Sequence, residues 1–368
     1  MDYRVSAQDR AAFKRCRRQW DFGAPTRQNL QAVDPLPPNL NRAVREALAV
    51  YYYPGMWDWQ SHIVLPLVRK AFMRTMAAAP PSDQRTADVD LGTELLEHYI
   101  AWAPSLDDFC PLMIETDVES LVPDIRETDR ALSASDARRV LYTDRVELLA
   151  IDADEELWIV THLVVPEWHD IETLLLDEAA VAACWTWEHE YLGTSIAGTI
   201  HNEILRPPPE SLGHVPTETR TGRPGRGGYS QNEPSGGGRL IAHLPRPEPE
   251  EPEPASENRV TQETAGVIRR TRIRRSRAEI ETSRRHVGVE VLEMLDPELT
   301  FFPAPSPNHC PQCSFVAPCL TMTEGGDPAL DLASRFRPGP TTPTYEPRLG
   351  ASGGGGRYVP IPPPTPPT

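Results

Sequence analysis

Lysine is nearly absent from this chain of 368 residues: Lys14 and Lys70 are the only two, and all other basic residues are arginines. A mechanism that needs a lysine ammonium group therefore has only two candidates. Acidic residues outnumber basic ones, and the formal net charge is −16 at pH 7. A charge of this sign disfavours indiscriminate binding to nucleic acid, although it leaves room for a local basic surface.

Long apolar runs are also missing. No run approaches the roughly 18 apolar residues that a membrane-spanning helix needs. The first ten residues, M-D-Y-R-V-S-A-Q-D-R, contain no apolar segment like that of a secretory signal. We therefore expect a cytoplasmic protein with no membrane partner. In that reducing compartment, clustered cysteines bind metals more often than they form disulfides.

Proline and glycine divide the chain. The 40 prolines and 23 glycines are concentrated after residue 205, where few large apolar residues offset the entropy lost on ordering. Residues 206–258 contain P-P-P, S-G-G-G and P-E-P-E-E-P-E-P, and we predict a disordered linker there. Residues 336–368 predict a disordered tail, and both segments are candidate ligands for protein partners. Residues 1–205 and 259–335 then form one core.

The first part of the chain changes from helical to strand-like periodicity. Helical spacing and end signals predict helices over residues 5–22, 40–53, 61–78, 90–102 and 174–192. Apolar patterns predict strands over residues 111–122, 139–151, 156–165 and 195–205. The segment L-W-I-V-T-H-L-V-V suits a central strand that forms a hairpin with the strand before it. This order predicts an α/β fold in which a mixed sheet is flanked by helices.

A long helix is predicted over residues 259–295. Ile273, Ile280, Val287 and Met294 recur at seven-residue intervals, which is typical of a buried helical stripe. The other faces would carry a group of arginines, namely Arg269, Arg270, Arg272, Arg274, Arg275 and Arg277. Such a group is either a solvated helix face or a surface that contacts DNA phosphates. These arginines are therefore the candidate nucleic-acid-binding residues.

Three cysteines lie close together near the C-terminal end, at Cys310, Cys313 and Cys319 in N-H-C-P-Q-C-S-F-V-A-P-C-L. Thiolates bind zinc or iron–sulfur clusters, and four ligands are needed to close either site. His309 would supply the missing ligand of a zinc site. Cys16 would instead complete a site made of thiolates alone.

Cys16 lies far upstream, in F-K-R-C-R-R-Q-W. Phe13, Cys16 and Trp20 have the three- and four-residue spacing of one helix face, so the side chain of Cys16 is predicted to point inward. Taken alone, a buried cysteine of this kind is also a common core residue. Cys110 and Cys184 lie in apolar segments and are predicted to be core residues.

The helix that carries Cys16 and the C-terminal C-x2-C-x5-C together resemble the iron–sulfur branch of the RecB-like PD-(D/E)XK nuclease superfamily. That branch includes AddB-type recombination nucleases and the CRISPR-adaptation exonucleases. The resemblance implies that Cys16, Cys310, Cys313 and Cys319 hold a [4Fe-4S] cluster. It also implies a nuclease-like mixed sheet whose C-terminal cysteine cluster is clasped to the N-terminal helix. The predicted order of helices, strand hairpin and helix agrees with this family.

The catalytic motifs of the family are degenerate here. Y-T-D-R-V-E-L-L resembles its first acidic motif and places Glu147 at the acidic position. The next strand places Thr161 and Leu163 where the family has a carboxylate and a lysine, and Arg45 stands where it has a histidine. A threonine and a leucine cannot hold Mg²⁺ and stabilise developing charge as that pair does.

The resemblance leads to three hypotheses. The first is a DNA-binding or DNA-processing protein that has lost nuclease chemistry, with a structural metal site. The second is an active nuclease that uses Glu115 and Glu147 with Mg²⁺ or Mn²⁺. The third is a scaffold that binds protein partners through the proline-rich linker and tail. The alternative to a metal-binding role for Glu147 is an ion pair with Arg145 or another arginine.

Overall fold

The computed structural model describes residues 2–33, 39–78, 81–127, 130–134, 138–206 and 259–340. The predicted linker beyond residue 206 and the predicted tail beyond residue 340 lie outside these ranges.

The described residues form nine strands and ten α-helices. The strands are β1 (Tyr3–Ser6), β2 (Leu30–Ala32), β3 (Phe109–Leu121), β4 (Val140–Asp152), β5 (Leu157–Val165), β6 (Ile196–Leu205), β7 (Val260–Ala265), β8 (Ile268–Arg274) and β9 (Phe336–Pro338). The helices are α1 (Ala7–Arg15), α2 (Arg17–Gly23), α3 (Leu40–Tyr51), α4 (Ser61–Ala77), α5 (Asp83–Leu106), α6 (Ile171–Leu175), α7 (Glu178–Glu190), α8 (Arg277–Met294), α9 (Val316–Thr323) and α10 (Ala329–Arg335). A 3₁₀ turn covers Cys310–Gln312.

Seven strands form one mixed sheet. Its order is β1-β4-β5-β6-β8-β7, and β3 pairs with β4 as well. β4 is antiparallel to β3 and β5, β5 is parallel to β6, and β8 is antiparallel to both of its neighbours. The predicted α/β class, the hairpin of β4 and β5, and the central position of β5 are confirmed.

Helices cover both faces of this sheet. On one face, α3, α4 and α5 enclose a core that includes Phe72, Trp158 and Ile200. On the other face, α1, α7 and α8 enclose a core that includes Tyr142 and Trp185. Each large apolar side chain removed from water contributes roughly 1.5–3 kcal/mol, so these two layers hold the sheet in place. Among the described residues, no helix has the length and apolarity to cross a membrane.

The predicted helix over residues 5–22 is wrong in one respect. Ser6 and Asp9 form the expected capping box, but the helix stops at Arg15 and a second helix starts at Arg17. Between them Cys16 has an extended backbone, with φ −163° and ψ 111°. Cys16 is therefore half-buried at a break between two helices rather than on a continuous helix face.

The predicted helix over residues 259–295 is also wrong in its first half. β7 and β8 form a hairpin that turns at Gly266, where φ is 60°. The helix α8 starts only after Ser276, whose side chain forms a capping box with Glu279. Ile280 and the later apolar positions do form the buried stripe of α8. Of the six arginines assigned to that helix, four lie on β8, Arg275 lies in the connection that follows it, and Arg277 starts α8.

A small C-terminal module, residues 310–338, packs against the N-terminal helices. β9 pairs with β2, and Phe336 stacks on Phe315, which also contacts Phe22. Phe336 is 6% exposed, so the start of the predicted disordered tail is instead an ordered strand. This packing places the C-terminal cysteines beside α2.

Candidate functional site

One edge of β4 is left partly unpaired by the sheet. β3 runs along the whole of one edge of β4. The other edge is shared, since β1 pairs with residues 140–143 and β5 pairs with residues 148–151. Within the described ranges, residues 144–147 have no strand partner on that edge. This open edge of β4 is the D-R-V-E segment. The residues of the degenerate acidic motif therefore lie where β4 has no strand partner on that edge.

Glu147 is held at the open edge by two basic side chains. Its Oε1 lies 2.7 Å from Nδ1 of His162, and its Oε2 accepts the backbone N–H of His162 at 3.2 Å. Nε of Arg45 lies 3.0 Å from Oε2. The carboxylate thus binds the β5 backbone at the point where the ladder between β4 and β5 ends. The predicted ion pair of Glu147 is present, and its arginine is Arg45.

The pKa of Glu147 shows which effect dominates. Burial alone would raise this pKa, but the charge and hydrogen bonds of His162 and the charge of Arg45 outweigh it and lower the pKa. Glu147 is therefore ionised and neutralised by protein groups. A Mg²⁺ ion at this carboxylate would have to displace Arg45, which stands where the resemblance places a histidine.

His162 connects Glu147 to a buried polar network. Its Nε2 lies 3.0 Å from the hydroxyl of Tyr99 and 3.2 Å from Nδ2 of Asn202. The ring packs against Tyr52, and His162 is 3% exposed. A fully bonded network of this kind fixes side-chain positions. Because these partners come from separate helices and strands, no local sequence pattern pointed to them.

Thr161 and Leu163 lie on the opposite face of β5 from His162, as predicted. Oγ1 of Thr161 lies 3.4 Å from Nδ1 of His201, and Leu163 is 37% exposed. Glu147 faces His162 rather than these two positions. The structure therefore does not bring the family's first acidic position together with the D-x-K positions.

Glu115, the other residual catalytic candidate, has its own cationic partner. Its backbone has a positive φ of 46°, and its Oε2 lies 3.6 Å from Nη1 of Arg145. In the part of the chain described, neither Glu115 nor Glu147 belongs to a set of three or more ligand atoms within 4.8 Å of one another. The set that does exist comprises Asp152, Asp154 and Glu156. Asp152 accepts backbone and indole N–H groups there, which explains it as a turn.

Asp144 begins the open edge of β4 and has an unusual pKa. Burial raises this pKa to about 7, against the opposing hydrogen bond from the Arg145 N–H, and the charge of Asp177 raises it further. The folded protein therefore binds a proton at Asp144 more tightly than the unfolded chain, whose pKa is near 3.8. Between these values, this group lowers stability as the pH rises.

Replacing Asp144 by asparagine should therefore stabilise the protein at pH 8 and have little effect at pH 4. Between the unfolded and the folded pKa, the free energy of unfolding of Asp144→Asn minus that of the wild type should rise with pH. The slope should be below about 1.4 kcal/mol per pH unit, because the Asp144 side chain is half-buried. Urea unfolding at several pH values measures it. Asp108→Asn, at an exposed ion pair with Arg272, is the control and should show no gain. Lower stability of Asp144→Asn at pH 8 would contradict this account.

The candidate nucleic-acid-binding arginines are all engaged in ion pairs. The pairs are Arg269 with Glu203, Arg270 with Asp107, Arg272 with Asp108, Arg274 with Glu156, Arg275 with Glu279 and Arg277 with Glu188. Arg269, Arg270 and Arg275 are also buried. These three arginines brace β8 against its neighbours, and they would have to leave their partners to reach a phosphate.

The N-terminal and C-terminal cysteines approach one another through an extended segment that follows α8. The backbone N–H of Ala304 lies 3.5 Å from Sγ of Cys16, and that of Ser306 lies 3.3 Å from Sγ of Cys310. Each of these N–H groups donates a weak hydrogen bond to a cysteine sulfur. These are the contacts expected around metal-ligating thiolates.

The pKa of the Cys313 thiol depends on burial and on the groups around it. Burial is the main cause of its raised pKa, the Phe315 N–H opposes it, and the charges of three other thiols add to it. Those three thiols belong to Cys16, Cys310 and Cys319. Cys16, Cys310 and Cys319 therefore lie close enough to Cys313 for their charges to act on it, and we call these four residues the cysteine cluster. A bound cation would relieve the mutual repulsion of their thiolates.

The alternative ligands fit less well. His309 is exposed, and Cys184 is fully buried in α7, where burial raises its pKa to about 12. Among the described ligand atoms, no three sulfurs of the cysteine cluster lie within 4.8 Å of one another. A tetrahedral zinc ion with Zn–S bonds of about 2.3 Å needs sulfurs about 3.8 Å apart. An iron–sulfur cluster places iron and sulfide between its ligands, so its cysteine sulfurs lie farther apart than those of a zinc site.

No model of a known protein family matches the chain, and no curated protein matches its sequence. The resemblance to RecB-like nucleases therefore rests on the chain's own residues. Its cysteine pattern is complete at four positions, whereas its catalytic pattern is retained only at Glu147.

Proposed function

We propose that this chain is a RecB-like iron–sulfur protein that binds DNA without cutting it. Cys16, Cys310, Cys313 and Cys319 would hold a [4Fe-4S] cluster, whose chemistry here is to crosslink two distant chain segments. One observation supports the proposed loss of cleavage. Arg45 forms an ion pair with Glu147 and so takes the place of a metal ion at the acidic position.

The proposed role of the cluster is a clasp between the N-terminal helices and the C-terminal module. The module otherwise contacts the rest of the fold through the pairing of β9 with β2 and a small apolar group in which Phe315 and Phe336 pack with Phe22. Three rings give a small core, and small modules commonly depend on a metal for stability. A cluster with ligands from both segments would supply the missing stabilisation.

The proposed loss of nuclease activity follows from charge. Hydrolysis of a phosphodiester with Mg²⁺ needs carboxylates that are free to bind the ion and a cation that stabilises the transition state. Glu147 is already neutralised by Arg45 and His162, and the positions of the second carboxylate and the lysine are Thr161 and Leu163. The remaining groups can hold the sheet together but cannot assemble that site.

Binding and cleavage of labelled DNA test this proposal. The intact protein, purified without oxygen, should bind single- or double-stranded oligonucleotides at low salt and release them as salt rises, because phosphate contacts are salt-dependent. It should cut neither substrate with Mg²⁺ or Mn²⁺. Cleavage that disappears in Glu147→Ala would instead establish the active nuclease that uses Glu115 and Glu147.

A non-catalytic scaffold is the second candidate. The observation that favours it is the pairing of all six candidate arginines with carboxylates, which leaves few free cations for phosphates on β8. Under this alternative the metal-stabilised core presents the proline-rich segments to protein partners. Absence of DNA binding at low salt, in protein that still holds its cluster, would favour the scaffold over the DNA-binding proposal.

A further inference from the structure

Arg18 is an unusual arginine in this fold. Its neighbours on α1 and α2 have acidic partners: Arg10 binds Glu290, and Arg17 binds Glu293. Among the described residues, no carboxylate lies within 4.0 Å of the nitrogens of Arg18. Its Nε is buried without a hydrogen-bond acceptor. A half-buried cation without an anionic partner is costly unless something else in its surroundings carries negative charge.

The acceptors that Arg18 does have belong to one cysteine. Nη1 of Arg18 lies 3.5 Å from Sγ of Cys319 and 3.4 Å from its carbonyl oxygen. The backbone N–H of Arg18 also binds the carbonyl oxygen of Phe302, so the residue is anchored to the extended segment beside the cluster. The guanidinium group of Arg18 thus lies at Cys319, whereas the Ala304 and Ser306 N–H groups lie at Cys16 and Cys310.

We propose that Arg18 is a positioning residue that donates to the Cys319 thiolate and raises the reduction potential of the cluster. This inference rests on the proposed function. Accepting one electron adds one negative charge to the cluster, and a nearby guanidinium stabilises the reduced form more than the oxidised form. Hydrogen bonds to ligand sulfurs and local charge are the means by which proteins set such potentials. Arg18 keeps its proton throughout, and the electron comes from an external reductant.

A reductive titration of the anaerobically purified protein with dithionite tests the proposal. Arg18→Met keeps the aliphatic stem and removes the charge, and Arg18→Lys keeps the charge and removes the planar fork. Arg18→Met should retain its iron and sulfide but shift the one-electron equilibrium toward the oxidised form by about tenfold, or about 59 mV. Arg18→Lys should shift it less. Arg15→Met, at an exposed position next to Cys16, is the matched control and should shift it least.

The outcomes separate this inference from the function on which it rests. If wild-type protein holds zinc and no iron, both are overturned. If the wild-type protein holds the cluster and the reduction potential of Arg18→Met equals that of Arg15→Met, only the role of Arg18 is overturned. If Arg18→Met loses the cluster, Arg18→Lys decides: a lowered potential supports the role of Arg18, and an unchanged potential overturns it.

Discussion

Cys16→Ala should lose the visible absorption of thiolate-bound iron and release the C-terminal module from the N-terminal helices. The cluster would keep only three protein ligands, all within residues 310–319, and its link to α1 and α2 would be cut. Metal binding to structural thiolates contributes on the order of 10 kcal/mol to folding in small zinc domains, so loss of a ligand is a large effect. Metal content and limited proteolysis of the intact chain measure both consequences.

Cys110→Ala is the matched control for this experiment. Cys110 lies in β3, away from the set of thiols that act on Cys313. The control should keep its iron and resist protease after α8 as wild type does, whereas Cys16→Ala should be cut between α8 and β9. Iron content of Cys16→Ala equal to wild type would show that Cys16 is not a ligand.

Glu147→Ala should destabilise the protein by about 3 kcal/mol. The change leaves the imidazole of His162 and its backbone N–H without their acceptor, and Arg45 without its anion. Removing one partner of a buried charged pair costs on the order of 3–5 kcal/mol, and partial exposure of Arg45 reduces this. Glu147→Gln, which still accepts a hydrogen bond, should lose less. Urea unfolding of the variants and the wild type, all purified without oxygen, gives the difference.

The pH dependence and a control separate this effect from a general loss of charge. The pKa of Glu147 is lowered by folding from 4.5, so its contribution is complete above pH 4.5 and disappears as the pH falls through the folded value. The destabilisation should therefore shrink in acid. Glu119→Ala breaks a more exposed ion pair with Arg4 and should cost less than about 1 kcal/mol. Equal losses for the two variants would contradict a central role for Glu147.

Much of the sheet was predictable because its strands carry a strong local signal. β5 is a nearly continuous apolar segment, β4 ends in the apolar stretch L-L-A-I, and the acidic turn between them predicts a hairpin. β8 was mistaken for a helix because arginines occupy strand positions. Burial of Arg269 and Arg270 is compensated by Glu203 and Asp107. Those partners are distant in sequence, so the sequence alone does not show that these arginines are buried in a strand.

The candidate sites were also only partly predictable from the sequence. The spacing of Cys310, Cys313 and Cys319 identified three neighbouring thiols, and the resemblance supplied Cys16. The helix break at Cys16 could not be predicted, because no proline or glycine lies there to indicate it. In the structure the Sγ of Cys16, at this break, lies 3.5 Å from the backbone N–H of Ala304, which is distant in sequence.

The partners of Glu147 were only half predictable. An arginine partner was expected for Glu147, but His162 was assigned only by strand alternation. Its contact with Glu147 depends on where β5 leaves the edge of β4. Such a gap in a ladder is a property of the assembled sheet and not of either strand.

The most direct test of the central claim is the iron, sulfide and zinc content of wild-type protein purified without oxygen. The account predicts iron and acid-labile sulfide in equal amounts, in the ratio of one [4Fe-4S] cluster per chain, with visible absorption that disappears in Cys16→Ala. A colourless protein that contains zinc in place of iron, and keeps it when Cys16 is replaced, would contradict the account.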